Sequence, residues 1–147
     1  MHTLWNADDR QSILARMTRL SPSATPAWGS MNAPRMLSHV TDALRMATGD
    51  LAVAPHGGPL SIWPINSLVM FYLPWPKGAP TAPELIARSA GDWAAGVEEL
   101  RAVLTRFAER DINGTWPAHP AFGTIGGVGW GRLGYRHVDH HLTQFRG

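Results

Sequence analysis

The heptapeptide Tyr135-Arg136-His137-Val138-Asp139-His140-His141 holds three of the chain's seven histidines. If it is helical, His137 and His141 stand one turn apart on one face, and both imidazoles can reach a single metal ion. At about 100° per residue, His140 turns roughly 60° away from His137, and Asp139 points nearly opposite. His137 and His141 are therefore the pair, and His140 is a flanking residue. No glutamate adjoins the first histidine, so this is not the HExxH zinc-protease pattern. Two imidazoles leave a site incomplete. His39 lies three residues after Met36 and four before Ala43, which puts it on an apolar helix face. A buried histidine needs a partner. Three imidazoles from two helices would make an open site with positions for water or substrate, as catalytic zinc sites do. Asp42, one turn after His39, is placed to orient a ligand by hydrogen bonding. Histidine ligands must be unprotonated, so such a site loses its ion below about pH 6. On helical geometry alone, a packed core His39 and a solvated histidine cluster remain open alternatives.

Other residues carry weaker signals. His119-Pro120-Ala121-Phe122-Gly123 reads as a structural loop, with a polar group carried toward the site as the sharper alternative. His56, within His56-Gly57-Gly58-Pro59, reads as exposed. The Gly126–Gly131 run lacks the Lys-Ser/Thr ending of a phosphate loop and the strand context of a dinucleotide fingerprint. Tight helix packing or a distorted helix start is the better reading. Tyr72 and Tyr135 read as core or rim. Trp28, Trp63, Trp93 and Trp130 read mostly as core, with one or two lining a pocket.

Four helical segments must position these groups. The first runs from about Asp8 to Leu20, with Asp8 and Asp9 in its first turn and Ile13, Met17 and Leu20 as its apolar stripe. The second spans Ala33 to Thr48, with Asn32 as N-cap and Gly49 as its stop. The third spans Ala82 to Arg110, opened by a capping box at Thr81-Ala82-Pro83-Glu84, with Glu98–Arg101 and Arg106–Glu109 as exposed pairs. The fourth ends near Phe145, and its start is obscured by glycines. Between the second and third lies a Pro/Gly-rich stretch. Within it, Ser67–Leu73 is a buried strand or a two-turn helix, and Trp75-Pro76-Lys77-Gly78 is a turn. The pattern predicts an all-α four-helix bundle with a long Pro/Gly-rich crossover between helices 2 and 3.

At 147 residues and 44% hydrophobic, the chain has the size and apolar content of one domain, 1–147. It has no cysteine, which excludes disulfides, thiolate metal sites and cysteine nucleophiles. Twelve of its thirteen basic residues are arginines, scattered from Arg10 to Arg146, and Lys77 is the one lysine. The formal net charge is +2. Without a polybasic stripe, nucleic acid is not an expected partner. No apolar run approaches the ~20 residues of a membrane span, and no signal core follows Met1. The expected location is cytoplasmic.

Several short motifs carry a resemblance. They are Trp28-Gly29, Met36-Leu37-Ser38-His39 with Asp42, Leu73-Pro74-Trp75-Pro76-Lys77-Gly78, and Thr81 with Pro83-Glu84-Leu85. His119-Pro120 with Phe122-Gly123 and Trp130-Gly131 follow, then His137-x-x-His140-His141-Leu142-x-Gln144-Phe145. In this order the chain resembles the DinB-like (DinB/YfiT) superfamily, and within it a small bacterial branch known only as a domain of unknown function. The resemblance implies a four-helix bundle. It also implies a metal triad of one histidine on the second helix and two on the last, which here are His39, His137 and His141. It implies a divalent ion, nickel or zinc first and iron as an alternative, and often a homodimer. Some relatives are thiol-dependent transferases or isomerases. The chain departs from the pattern in Gly126–Gly131, where better helix formers are expected.

Two functions follow as expectations. One is a metal-dependent hydrolase or thiol-dependent transferase acting on a small molecule or thiol. The other is a non-catalytic metal- or ligand-binding helical module. The absence of a glutamate base beside the triad weakens the hydrolase. A third possibility, a helical interaction protein with structural histidines, predicts no metal at all.

Overall fold

A computed structural model describes residues 1–55, 58–75 and 81–147. His56 and most of the Trp75–Gly78 turn lie outside the described residues. The described chain is helical throughout, with five α-helices and no strand. Helix α1 (Ala7–Arg19) starts where the Asn6 side chain accepts from the backbone N–H groups of Asp8 and Asp9. Helix α2 (Ala33–Thr48) has the boundaries read from sequence. Asn32 accepts from the Arg35 N–H, and Gly49, at φ +83°, closes the helix in the left-handed conformation. The apolar run resolves as a short helix, α3 (Ile65–Phe71), of which Met70 is buried and Leu68 exposed.

The predicted third helix is corrected. Pro83–Leu85 forms only one 3-10 turn, and helix α4 runs Trp93–Glu109. The Thr81–Glu84 capping box does not form, because the Glu84 carboxylate reaches the Ala54 N–H instead. The true start is Gly91-Asp92. Glycine costs up to about 1 kcal/mol inside a helix, and aspartate is a strong N-cap. The Asp92 side chain accepts from the Ala95 N–H at 2.9 Å. The Glu98–Arg101 pair forms at 3.4 Å, whereas Arg106 turns to Asp50 at 3.3 Å rather than to Glu109.

Helix α5 (Gly126–Gln144) includes the whole glycine run. Close packing explains it. A Cβ on Gly131 would lie 2.7 Å from Thr3 Oγ1 and against the Trp5 indole, and one on Gly134 would lie 2.6 Å from Leu4 Cδ1. The segment before α1 occupies that space. The Leu4 N–H donates to the Gly131 carbonyl and Trp5 Nε1 to the Gly127 carbonyl, both at 2.9 Å.

Helix α2 packs against α4 and α5, and α1 packs against the same two. Met36, Val40 and Leu44 of α2 meet Leu100, Leu104 and Phe107 of α4 in one apolar cluster with Ile13, Met17, Leu133 and Leu142. Each such side chain, fully buried, contributes roughly 1.5–3 kcal/mol of transfer free energy. Trp130 joins this core, but Trp63 is 78% exposed and Tyr72 is 68% exposed, against the reading of both as buried or rim. They flank α3, a helix of only seven residues whose buried side chains are Asn66 and Met70. No described helix is long and apolar enough to cross a membrane.

Candidate metal centre

His39 sits on the buried face of α2 and is 3% exposed. His137 and His141 project from α5 one turn apart, as their spacing requires. The three rings converge, with centroids 4.9 to 5.0 Å apart. One ligand atom from each falls within 4.8 Å of the others. His39 Nε2 and His137 Nε2 are 2.9 Å apart.

Neighbouring groups fix which nitrogens carry protons. His39 Nδ1 lies 3.2 Å from the Leu85 carbonyl, which can only accept. Nδ1 therefore holds the proton, and Nε2 presents its lone pair. The break after Pro83–Leu85 makes this contact available, since Leu85 is not held within a continuous helix. His141 Nδ1 lies 2.9 Å from Gln144 Oε1. The Gln144 amide nitrogen donates to the Trp28 carbonyl at 2.7 Å, so its oxygen faces His141. His141 Nδ1 is again the donor, and its Nε2 is free to bind.

Electrostatics keep the group neutral. Burial lowers the His39 pKa, against the opposing effects of the Leu85 hydrogen bond and Asp42. His141 is pushed down to about 4 by burial first and by His39 second. His137 is lowered well below its ordinary value, by burial and then by the other imidazoles. With the His39 proton on Nδ1, His137 Nε2 donates to the His39 Nε2 lone pair across that 2.9 Å contact, and an ion would take the place of the shared proton. Neutral imidazoles are the donor set that divalent transition ions require. Two nitrogens on one ion at the usual bond length of about 2.0–2.1 Å lie roughly 2.8–3.4 Å apart for angles between about 90° and 109°. The His39–His137 separation falls within that span, so the three-histidine group could hold a metal ion.

The remaining candidates are placed as follows. Asp42 does not orient His39. It is buried, and it pairs with Arg45 and Arg88, each at 3.1 Å. Its register on α2 turns it toward these arginines, and Leu85 takes the orienting role. Asp139 points away from the triad and pairs with Arg16 at 2.6 Å. His140 packs its ring against Trp28, Trp75 and His141. His119 serves the loop. Its Nδ1 accepts from the Ala121 and Phe122 N–H groups at 3.1 and 3.2 Å, its ring lies on Trp130, and burial pushes its pKa down to about 4. It also borders His137 across a narrow gap in the core.

A cleft of about 210 Å³ opens beside the triad, lined by Trp28, Trp75, Arg136, Asp139, His140 and Thr143. Trp75 joins it to the centre, because its ring meets His137 edge-on at 5.8 Å. Sequence reasoning read Leu85 as part of the third helix's apolar face and assigned no site role to Leu85, Arg136 or Gln144. Only Gln144 had a local signal, its i+3 spacing from His141.

No curated protein and no solved structure matches the chain. Residues 73–147, just over half of the 147, match the family model described as "Protein of unknown function (DUF1569)". The match takes in His137, His141 and the break that frees Leu85, while His39 lies before it. The chain therefore belongs to the DUF1569 family.

Proposed function

We propose that this protein binds one divalent metal ion through His39, His137 and His141 and uses it on a small molecule. The carrying observation is the convergence of three neutral imidazoles, two of them with their Nδ1 protons already engaged by Leu85 and Gln144. Nickel and zinc suit this donor set first, and iron next. When bound, the ion supplies Lewis acidity to whatever small ligand reaches its open side.

The rest is done by the chain. Leu85 and Gln144 hold two imidazoles in one tautomer and rotamer. The apolar surroundings of α2 and α5 exclude bulk water and keep the imidazoles unprotonated. The Trp75 ring borders both the triad and the cleft. The adjoining cleft favours an enzyme over a closed structural site. Both nearby aspartates are engaged by arginines, so neither stands beside the histidines as a free carboxylate base among the described residues. That favours transfer to or from a thiol over direct hydrolysis. It also keeps a non-catalytic metal-binding module as the second reading. The mutual packing of α1, α2, α4 and α5, together with the order of the motifs, supports a single-domain four-helix bundle of the DinB-like kind, with α3 in the crossover.

The test is elemental analysis of untagged protein beside a His137→Ala, His141→Ala double variant. About one equivalent of metal in the parent and little in the variant is the expected result. No metal in either, after loading with zinc or nickel, overturns the proposal.

A further inference from the structure

We propose that the cleft beside the triad is a binding site for a small planar carboxylate, a benzoate-sized aromatic acid held by Arg136 in a cleft that Trp28 and Trp75 also line. Arg136 is the basis. Its guanidinium lies over the Trp75 ring at 5.0 Å and lines the cleft. Its described hydrogen bonds all go to neutral carbonyls. One terminal nitrogen donates to Val69 and Met70, and the other to Leu73. No described carboxylate pairs with it, and residues 56–57 and 76–80 contain no Asp or Glu. The other charged groups near clefts are already offset. Asp139 is bound to Arg16, and in a second cleft of similar size Arg88 is bound to Glu99 at 2.6 Å and to Asp42. Arg136 is thus a part-buried cation without an anion.

The donor arithmetic narrows the ligand. A guanidinium has five N–H donors, and three are engaged here. The two left lie on neighbouring nitrogens, Nε and Nη2, which is the fork that one carboxylate fills with two parallel bonds. Trp28 and Trp75 also line the cleft, and aromatic walls favour a flat ring. The volume, about 210 Å³, is below that of drug-sized pockets, so the ligand is small. As a substrate site the cleft rests on the metal reading above. As a binding site it does not, and it is tested without metal.

The experiment is calorimetric titration of chelator-treated protein with benzoate and with benzamide, its uncharged isostere. Benzoate is expected to bind at least 10-fold more tightly than benzamide. Arg136→Met is expected to erase that preference, and Trp28→Leu to weaken both ligands while keeping it. Trp28 holds Gln144 through its backbone carbonyl, so the second variant spares the triad, and it serves if Arg136→Met fails to fold by circular dichroism. Equal binding of the two ligands by the parent overturns the proposal. So does benzoate binding that appears only after zinc loading and survives Arg136→Met, a result that would uphold the metal site. A benzoate preference in protein that takes up no metal sustains the carboxylate site and overturns the metal reading alone.

Discussion

Substituting His119 by asparagine should flatten the acid sensitivity of the metal-free protein. The imidazole is neutral in the folded state and accepts two backbone N–H groups at Nδ1, and burial places its pKa at about 4. In the unfolded chain it returns to its ordinary value near 6.5. A depressed folded pKa means that the unfolded state binds the proton first. The associated stability is complete above pH 6.5 and is lost as pH falls toward 4. Between pH 7 and pH 5 this one group lowers stability by about 2 kcal/mol. Asparagine keeps an acceptor oxygen near the position of Nδ1 and does not titrate. Every other titrating group is common to both proteins, so the difference of differences isolates His119. The assay is urea unfolding of chelated parent and His119→Asn at pH 7 and pH 5. The parent should lose about 2 kcal/mol more than the variant across that interval. Equal losses would refute the assignment of His119 as a buried neutral acceptor.

Three further outcomes are expected. Gln144→Leu removes the partner of His141 Nδ1 and should weaken metal binding by about 10–100-fold in chelator competition, and unchanged affinity would dismiss its orienting role. Gly131→Ala should cost about 1–3 kcal/mol in urea unfolding despite the better helix propensity of alanine, because its methyl meets Thr3 and Trp5; a stabilised variant would contradict that packing. Asp92→Ala should cost about 1 kcal/mol while exposed Thr81→Ala stays within about 0.5 kcal/mol, and the reverse order would restore the longer α4.

Local signals made α2 and the histidine pair legible from sequence. Asn32, Pro34 and Gly49 act within their own turn, and the i, i+4 spacing of His137 and His141 needs only a helix. The start of α4 was not legible in the same way. Pro83 opens a 3-10 turn as readily as an α-helix, and buried Leu85 mimics the apolar spacing of the true helix. What separates the two starts is Glu84 reaching Ala54 and Leu85 reaching His39, contacts of 30 and 46 residues' separation. Asp42 misled for a related reason. Its proximity to His39 in sequence is real, but two arginines claim it, one of them from beyond α3. The aromatic cleft joins Trp28, Trp75 and α5, three segments with no mutual pattern, so its assembly is visible only in three dimensions.

The glycines of α5 also bear on the order in which the molecule can assemble. A segment with five glycines in its first nine residues is a poor helix on its own. Its packing partners supply what propensity does not: Trp5 and Leu4 lie against Gly131 and Gly134, and Ile112 and Trp116 lie against Gly127. His137 and His141 lie on the same helix, so their one-turn spacing depends on α5 being packed against its neighbours. An isolated 126–144 peptide would present its histidines as a loose, shifting set. The metal would then report on the closed molecule rather than create it. Capture of the ion would come last in assembly, a final check that α5 is seated on the segment before α1.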